Sequence, residues 1–219
     1  MQPAPPAPSL IIIDPAHGGA DSGAQLTSAI PEKDVTLMFA RRLQQQLQSR
    51  GISSALVRTG DATLPTDQRA ALANVGTAAL YLCIHASSMG KGIRVFTATL
   101  PPAGDNTGPF VNWQTAQAVS AGRSAWAQQQ IVSAVQRMGF PARSLTAALQ
   151  PLNNITIPAL AIEVAPSSGN SLQLASPDYQ DMVGEALASV IANLAPSLRS
   201  RSFQDSAAQP TVQPRTGTP

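Results

Sequence analysis

One cysteine, Cys83, is the only thiol in this chain, so an internal disulfide is excluded and the redox compartment stays open. Charge is scarce as well: Asp, Glu, Lys and Arg make up 12% of the 219 residues, about half the roughly 25% usual in a soluble globular protein. Together with a mean hydropathy of +0.01, that scarcity prompts a search for a membrane span. The strongly apolar stretches, residues 10–13 and 78–84, are strand-sized, whereas a transmembrane helix needs about 20 residues. The 14 basic residues face 12 acidic ones and are scattered along the chain. A nucleic-acid reader concentrates its cations in a patch or stripe, so nucleic acid is not an expected partner. The opening MQPAPPAPS has no basic segment followed by an apolar one. It does not read as a signal peptide, and any export signal is expected to lie elsewhere or to have been removed.

What is present points to one folded unit between two linkers. Residues 1–9 are rich in Pro and Ala, and residues 199–219 are polar with Pro, Thr and Gln and no apolar period, which predicts a linker and a disordered tail. Residues 10–198 suit a single core of ordinary size. Within them, strand-length apolar runs alternate with stretches of helical period. Strands are expected at 10–14, 52–57, 78–85, 92–97 and 159–164. Helices are expected at 33–50, at 66–75 opened by a capping Thr66, at 121–138 and at 178–194. Residues 98–118, with three prolines and two glycines, read as a long loop of the kind that often carries function. The fold class is therefore α/β: a single three-layer domain with a central mixed, mostly parallel sheet and helices on both faces.

Only two histidines, His17 and His85, and three glutamates, Glu32, Glu163 and Glu185, are available for chemistry. Each histidine falls near the end of an expected buried strand, as does Glu163, and ligands collect outside strand ends in open α/β sheets. The gaps separating His17, Glu32, His85 and Glu163 run from 15 to 78 residues, far too long for a zinc finger or an HExxH helix. Two imidazoles and one carboxylate are a ligand set of hydrolytic zinc, with a further carboxylate free to move a proton. The same residues also admit ordinary readings: a strand-end histidine at 85, and at 163 a buried acid paired with an arginine. Cys83, two residues before His85 on one strand face, suggests a nucleophilic dyad, but a cysteine inside LYLCI also suits a small buried hydrophobe.

The order of several short segments separates these readings. IIIDPAHGGADSGA, EKDVTLMFARRLQQQLQSRG, VRTGD, DQRAALAN, LYLCIHAS with GKGIRVF, and IPALAIEV follow one another over roughly residues 10–195. In that order they resemble the catalytic domain of the zinc-dependent N-acetylmuramoyl-L-alanine amidases of the amidase-3 type. The resemblance implies Zn2+ held by His17, Glu32 and His85, with Glu163 as the catalytic glutamate. It implies peptidoglycan as the partner, cleaved at the amide between N-acetylmuramic acid and L-alanine, and a place in the cell envelope, periplasmic or extracellular. A monomer is expected, and an accompanying activator or targeting domain is left open.

The wording departs from the family at Ala16 in place of glycine, at Ser87 in place of asparagine, and in APSSGN after Glu163. None of these removes a ligand; they bear on substrate preference and rate. Asp14 is a candidate to hold the second ring nitrogen of His17, with a strand-end cap or an ion pair to Arg69 as its alternatives, and Asp21 and Asp34 are the substitutes if Glu163 is not the base. Gly18 and Gly19 suit either a close backbone approach to the site or a tight turn. Arg58 and Arg94 suit either peptide carboxylates or internal ion pairs, and Met38 and Phe39 read as helix core. Two other functions stay open: a zinc peptidase of related fold acting on free peptides, and a peptidoglycan-binding module with weakened catalysis.

Overall fold

A computed structural model describes residues 10–76, 78–100 and 113–200. Six strands form one sheet: β1 (Leu10–Pro15), β4 (Ser53–Leu56), β5 (Leu80–Ala86), β6 (Gly92–Ala98), β7 (Ala142–Ala147) and β8 (Ala159–Ala165). Their order is β4-β1-β5-β8-β6-β7. All neighbours run parallel except β6 and β8, which are antiparallel. A separate hairpin pairs β2 (Gln25–Thr27) with β3 (Ile30–Pro31).

Alternation along the central strands sets the layers, because successive side chains leave a sheet on opposite faces. Ile11, Ile13, Leu82, Ile84 and Ile162 face one side and meet α1 (Glu32–Gln48), α3 (Ala121–Arg137) and α4 (Pro177–Ser200). On α1 the buried Val35, Phe39, Leu43 and Leu47 recur every four residues, the stripe that makes a helix amphipathic. Ile12, Tyr81, Cys83 and Ala161 face the other side, under the small residues Ala70 and Ala73 of α2 (Thr66–Asn74) and the apolar Leu152 and Ile155. The result is the three-layer α/β domain with a mixed, mostly parallel sheet.

Several expectations need adjustment. Thr66 opens α2 but caps nothing; the position before the helix is Pro65, whose φ of −58° leads into it without a side-chain bond. The expected loop at 98–118 ends in a 3-10 helix, Trp113–Ser120, and its residues 101–112 lie outside the described ones. So do the expected linker at 1–9 and most of the expected tail, although α4 continues to Ser200, two residues beyond the expected end of the folded part.

Candidate active site

β1 delivers the chain to a loop that is held in place from several directions. The Ala16 N–H donates to the Ile84 carbonyl at 3.0 Å, so the residue standing in place of glycine continues the ladder. Its φ is not positive; the left-handed residues are His17 (φ 63°), Gly18 (φ 129°) and Gly19 (φ 60°). A histidine there is uncommon, and such a backbone persists only when its surroundings fix it. Gly18 and Asp21 exchange backbone hydrogen bonds of 2.8 and 3.2 Å, the Gly19 N–H donates to Asp61 at 2.6 Å, and Arg69 donates to the His17 carbonyl at 2.6 Å. A Cβ on Gly19 would lie 1.9 Å from Thr63 Oγ1, so the close packing requires glycine. The two glycine amides are spent on this turn.

The reversal turns the His17 ring toward the first residue of α1. His17 Nδ1 lies 2.8 Å from Asp21 Oδ2 and Nε2 lies 3.1 Å from Glu32 Oε2. With Nδ1–H donated to Asp21, the Nε2 lone pair is left for the site, the tautomer a metal ligand needs. Glu32 also accepts the N–H of Ala24 at 3.0 Å and of Ala86 at 3.1 Å, and its Oε1 is 3.0 Å from His85 Nδ1. The two imidazoles meet edge to face with centroids 5.4 Å apart. Burial pushes the Glu32 carboxyl upward, but the hydrogen bonds with His17 and His85 outweigh it and hold the group far below the usual carboxylate range. The bond to Glu32 raises the His17 pKa, against the opposing effect of burial.

One donor atom from each of His17, Glu32 and His85 lies within 4.8 Å of the others. Nitrogen and oxygen ligands about 2.0–2.1 Å from a tetrahedral zinc sit about 3.3 Å apart, close to the 3.1 and 3.0 Å separations found. The borderline-soft donor set and its spacing fit zinc. A hollow of about 240 Å³ opens against both histidines, walled by Thr63, Leu64, Thr66 and Pro151.

Glu163 lies on β8 directly opposite His85 of β5. On its other side it is opposite Arg94 of β6 and forms an ion pair with it, so the arginine partner is present although the acid is half-buried rather than buried. Arg94 in turn donates to the Met89 carbonyl at 2.9 Å. Asp14 does not reach the His17 ring: it is fully buried, ion-paired with Arg69 and hydrogen-bonded by the Tyr81 hydroxyl. Burial raises its pKa, with Arg69 opposing. Asp21 takes the place proposed for Asp14, because the reversal at 17–19 brings the fourth residue onward, rather than the third residue back, to Nδ1. Arg58 is buried and donates to the carbonyls of Pro15, Ala16, Gly60 and Lys33, making it a brace rather than a substrate contact. Asp34 is exposed and outside the cluster. Cys83 Sγ lies 3.5 Å from His85 Nε2, but burial pushes its thiol well above the ordinary range, which opposes a nucleophilic dyad.

Lys33 and Asp61 were not singled out from the sequence. Lys33 donates to the Gly19 carbonyl at 2.9 Å and to Asp61 at 2.8 Å, closing the loop from below. Their signal was their presence within EKDV and VRTGD.

The family model described as N-acetylmuramoyl-L-alanine amidase matches residues 11–193. The N-acetylmuramoyl-L-alanine amidase AmiA of Salmonella typhimurium is 39% identical over 77 residues, 35% of this chain and 27% of that protein. The chain thus matches about a quarter of that relative's length. The germination-specific N-acetylmuramoyl-L-alanine amidase of Bacillus subtilis is 27% identical over 201 residues, 81% of this chain and 76% of that one. Among solved structures, an N-acetylmuramoyl-L-alanine amidase from Clostridium difficile 630 superposes with a TM-score of 0.64 at 24% identity, over 87% of this chain and 98% of its own. One from Mycobacterium smegmatis gives a TM-score of 0.67 at 21% identity, over 86% and 97%. At these identities the structural likeness speaks for the fold. With the family model spanning nearly all of the described residues, the chain belongs to the N-acetylmuramoyl-L-alanine amidase family of the amidase-3 type.

Proposed function

We propose that the protein hydrolyses the amide joining the lactyl group of N-acetylmuramic acid to L-alanine of the peptide stem in peptidoglycan, and that it works in the cell envelope, periplasmic or extracellular. The reading rests on the family and, above all, on one observation: donor atoms from a strained loop, a helix N-terminus and a strand converge within 4.8 Å, with Glu163 the register neighbour of His85.

His17 Nε2, Glu32 and His85 Nδ1 are the atoms that would hold zinc. Zinc supplies Lewis-acid polarisation of the amide carbonyl and lowers the pKa of bound water to about 7. Asp21 fixes the His17 tautomer, and the Ala24 and Ala86 amides fix the Glu32 carboxylate. The Glu163 carboxylate takes the proton of the attacking water. It then returns that proton to the nitrogen of L-alanine as the C–N bond breaks, so that the leaving group departs as an amine. Arg94 pairs with this carboxylate and is itself anchored on the Met89 carbonyl.

Digestion of purified peptidoglycan tests the reading. The expected products are free stem peptides beginning with L-alanine and glycan strands left uncut. Cleavage inside the stem would favour a peptidase of related fold, and binding without release would favour a weakened binding module.

A further inference from the structure

One row of register partners crosses four strands of the sheet. His85 on β5 stands opposite Glu163 on β8, Glu163 opposite Arg94 on β6, and Arg94 opposite Arg143 on β7. Side chains opposite one another on neighbouring strands leave the sheet on the same face, and the Arg94–Glu163 ion pair follows that rule. The row therefore runs from the candidate metal ligands through the proposed base to a cation at the sheet edge.

Among the described residues, most cations of this charge-poor chain have an internal use. Lys33, Arg42, Arg50, Arg69 and Arg94 are ion-paired, and Arg41, Arg58 and Arg123 donate to carbonyl or hydroxyl oxygens. Arg137 closes the last turn of α3, where a helix C-terminus favours positive charge. Arg143 and Lys91 are exposed and have no hydrogen-bond or ion-pair partner among the described residues. Both line one open hollow of about 320 Å³, with Gly90, Pro141 and Ala142 beside them. Two cations with no internal use thus share a concave surface at the end of a row that begins at the candidate site.

The distances set what such a pair can read. Neighbouring strands are about 4.8 Å apart, which puts Arg143 about 10 Å from Glu163 and about 14 Å from His85 across the sheet. An extended peptide advances about 3.3 Å per residue, so with the reach of an arginine side chain the span is about two to four residues. We propose that Arg143, assisted by Lys91, is a specificity-determining residue that receives a carboxylate of an acidic peptide stem two to four residues beyond the scissile amide. The inference rests on the amidase reading of the site and names the part of the substrate that the sheet edge selects. Guanidinium is suited to it, since its fork matches a carboxylate bidentately.

The test uses two soluble stem peptides without muramic acid, one with free carboxylates and one with those carboxylates as amides. Neither carries the scissile bond, so binding to the 219-residue chain is measured by titration calorimetry without turnover. Wild type is expected to bind the acidic peptide on the order of threefold to fivefold more tightly than the amidated one, as befits a solvent-exposed ion pair. That preference should vanish at 1 M salt, where the screening length is about 3 Å. Arg143→Ala should bring the ratio near one and Arg143→Lys should keep part of it; a thermal melt checks that each variant is folded. An acid preference undiminished in Arg143→Ala, or absent in wild type, would overturn the inference. Hydrolysis of the matching muropeptides separates the two proposals. Cleavage that ignores the carboxylates leaves the amidase reading standing and removes this one. Arg143-dependent binding of acidic stems without cleavage of muropeptides does the reverse.

Discussion

His17 makes its contribution at the cost of a left-handed backbone, φ 63°, and its ring is aimed by a single exposed carboxylate, Asp21, at 2.8 Å. Removing such an outer partner of a metal-bound histidine typically costs 10- to 100-fold in metal affinity. Asp21→Ala should therefore weaken zinc binding by about that factor, read by competition with a chromophoric chelator, while Asp14→Asn should act through stability instead. The site should also be sensitive to pH. Zinc takes the neutral imidazole, and the bond to Glu32 raises the His17 pKa above 6.5. Affinity should thus fall as pH drops through that raised value, on the order of tenfold per pH unit for one displaced proton. In the metal-free protein the sign is opposite: protonated His17 stabilises the fold below about pH 6.5, and the contribution is lost as pH rises through the raised pKa. The four candidate residues were legible as scarce chemistry placed near strand ends. The choice between Asp14 and Asp21 was not, because it depends on a reversal of the backbone at 17–19 that spacing does not encode.

Helices and central strands were legible where burial imposes a period. The stripe Val35, Phe39, Leu43, Leu47 of α1 and the run LYLCI of β5 could be read directly. β7 was not, since an edge strand reading ARSLTA buries little of either face and carries no alternation to detect. Nor was the β2–β3 hairpin, whose strands of three and two residues are too short to carry a period. The elements are tied together beneath the site by Asp14 of β1, Tyr81 of β5 and Arg69 of α2, a buried acid with two donors. Breaking such a pair from one side leaves an uncompensated buried charge and costs about 3–5 kcal/mol. Arg69→Met should lower unfolding stability by that amount in urea titrations. Adding Asp14→Asn should recover part of the loss, and a simple sum of the two single effects would argue against the coupling.

Across the molecule, the parallel strands β1, β5 and β8 bring His17, His85 and Glu163 to one end of the sheet, and α1 starts there with Glu32. The terminal sequences contribute no apolar period to this arrangement. Removal of residues 1–9 and 201–219 should accordingly leave the thermal midpoint within a few degrees and peptidoglycan hydrolysis intact, and a large loss of either would mean that a terminal segment docks on the domain. In the proposed division of roles His17, Glu32 and His85 would hold the metal while Glu163 moves the proton. The most direct measurement takes wild type and Glu163→Gln through the same purification without chelator, then determines zinc content and the release of free stem peptide from purified peptidoglycan. Both proteins should carry about one zinc per chain, and release should fall by about 10²–10⁴-fold in the variant. Loss of zinc from Glu163→Gln, or full activity in it, would contradict the division of roles.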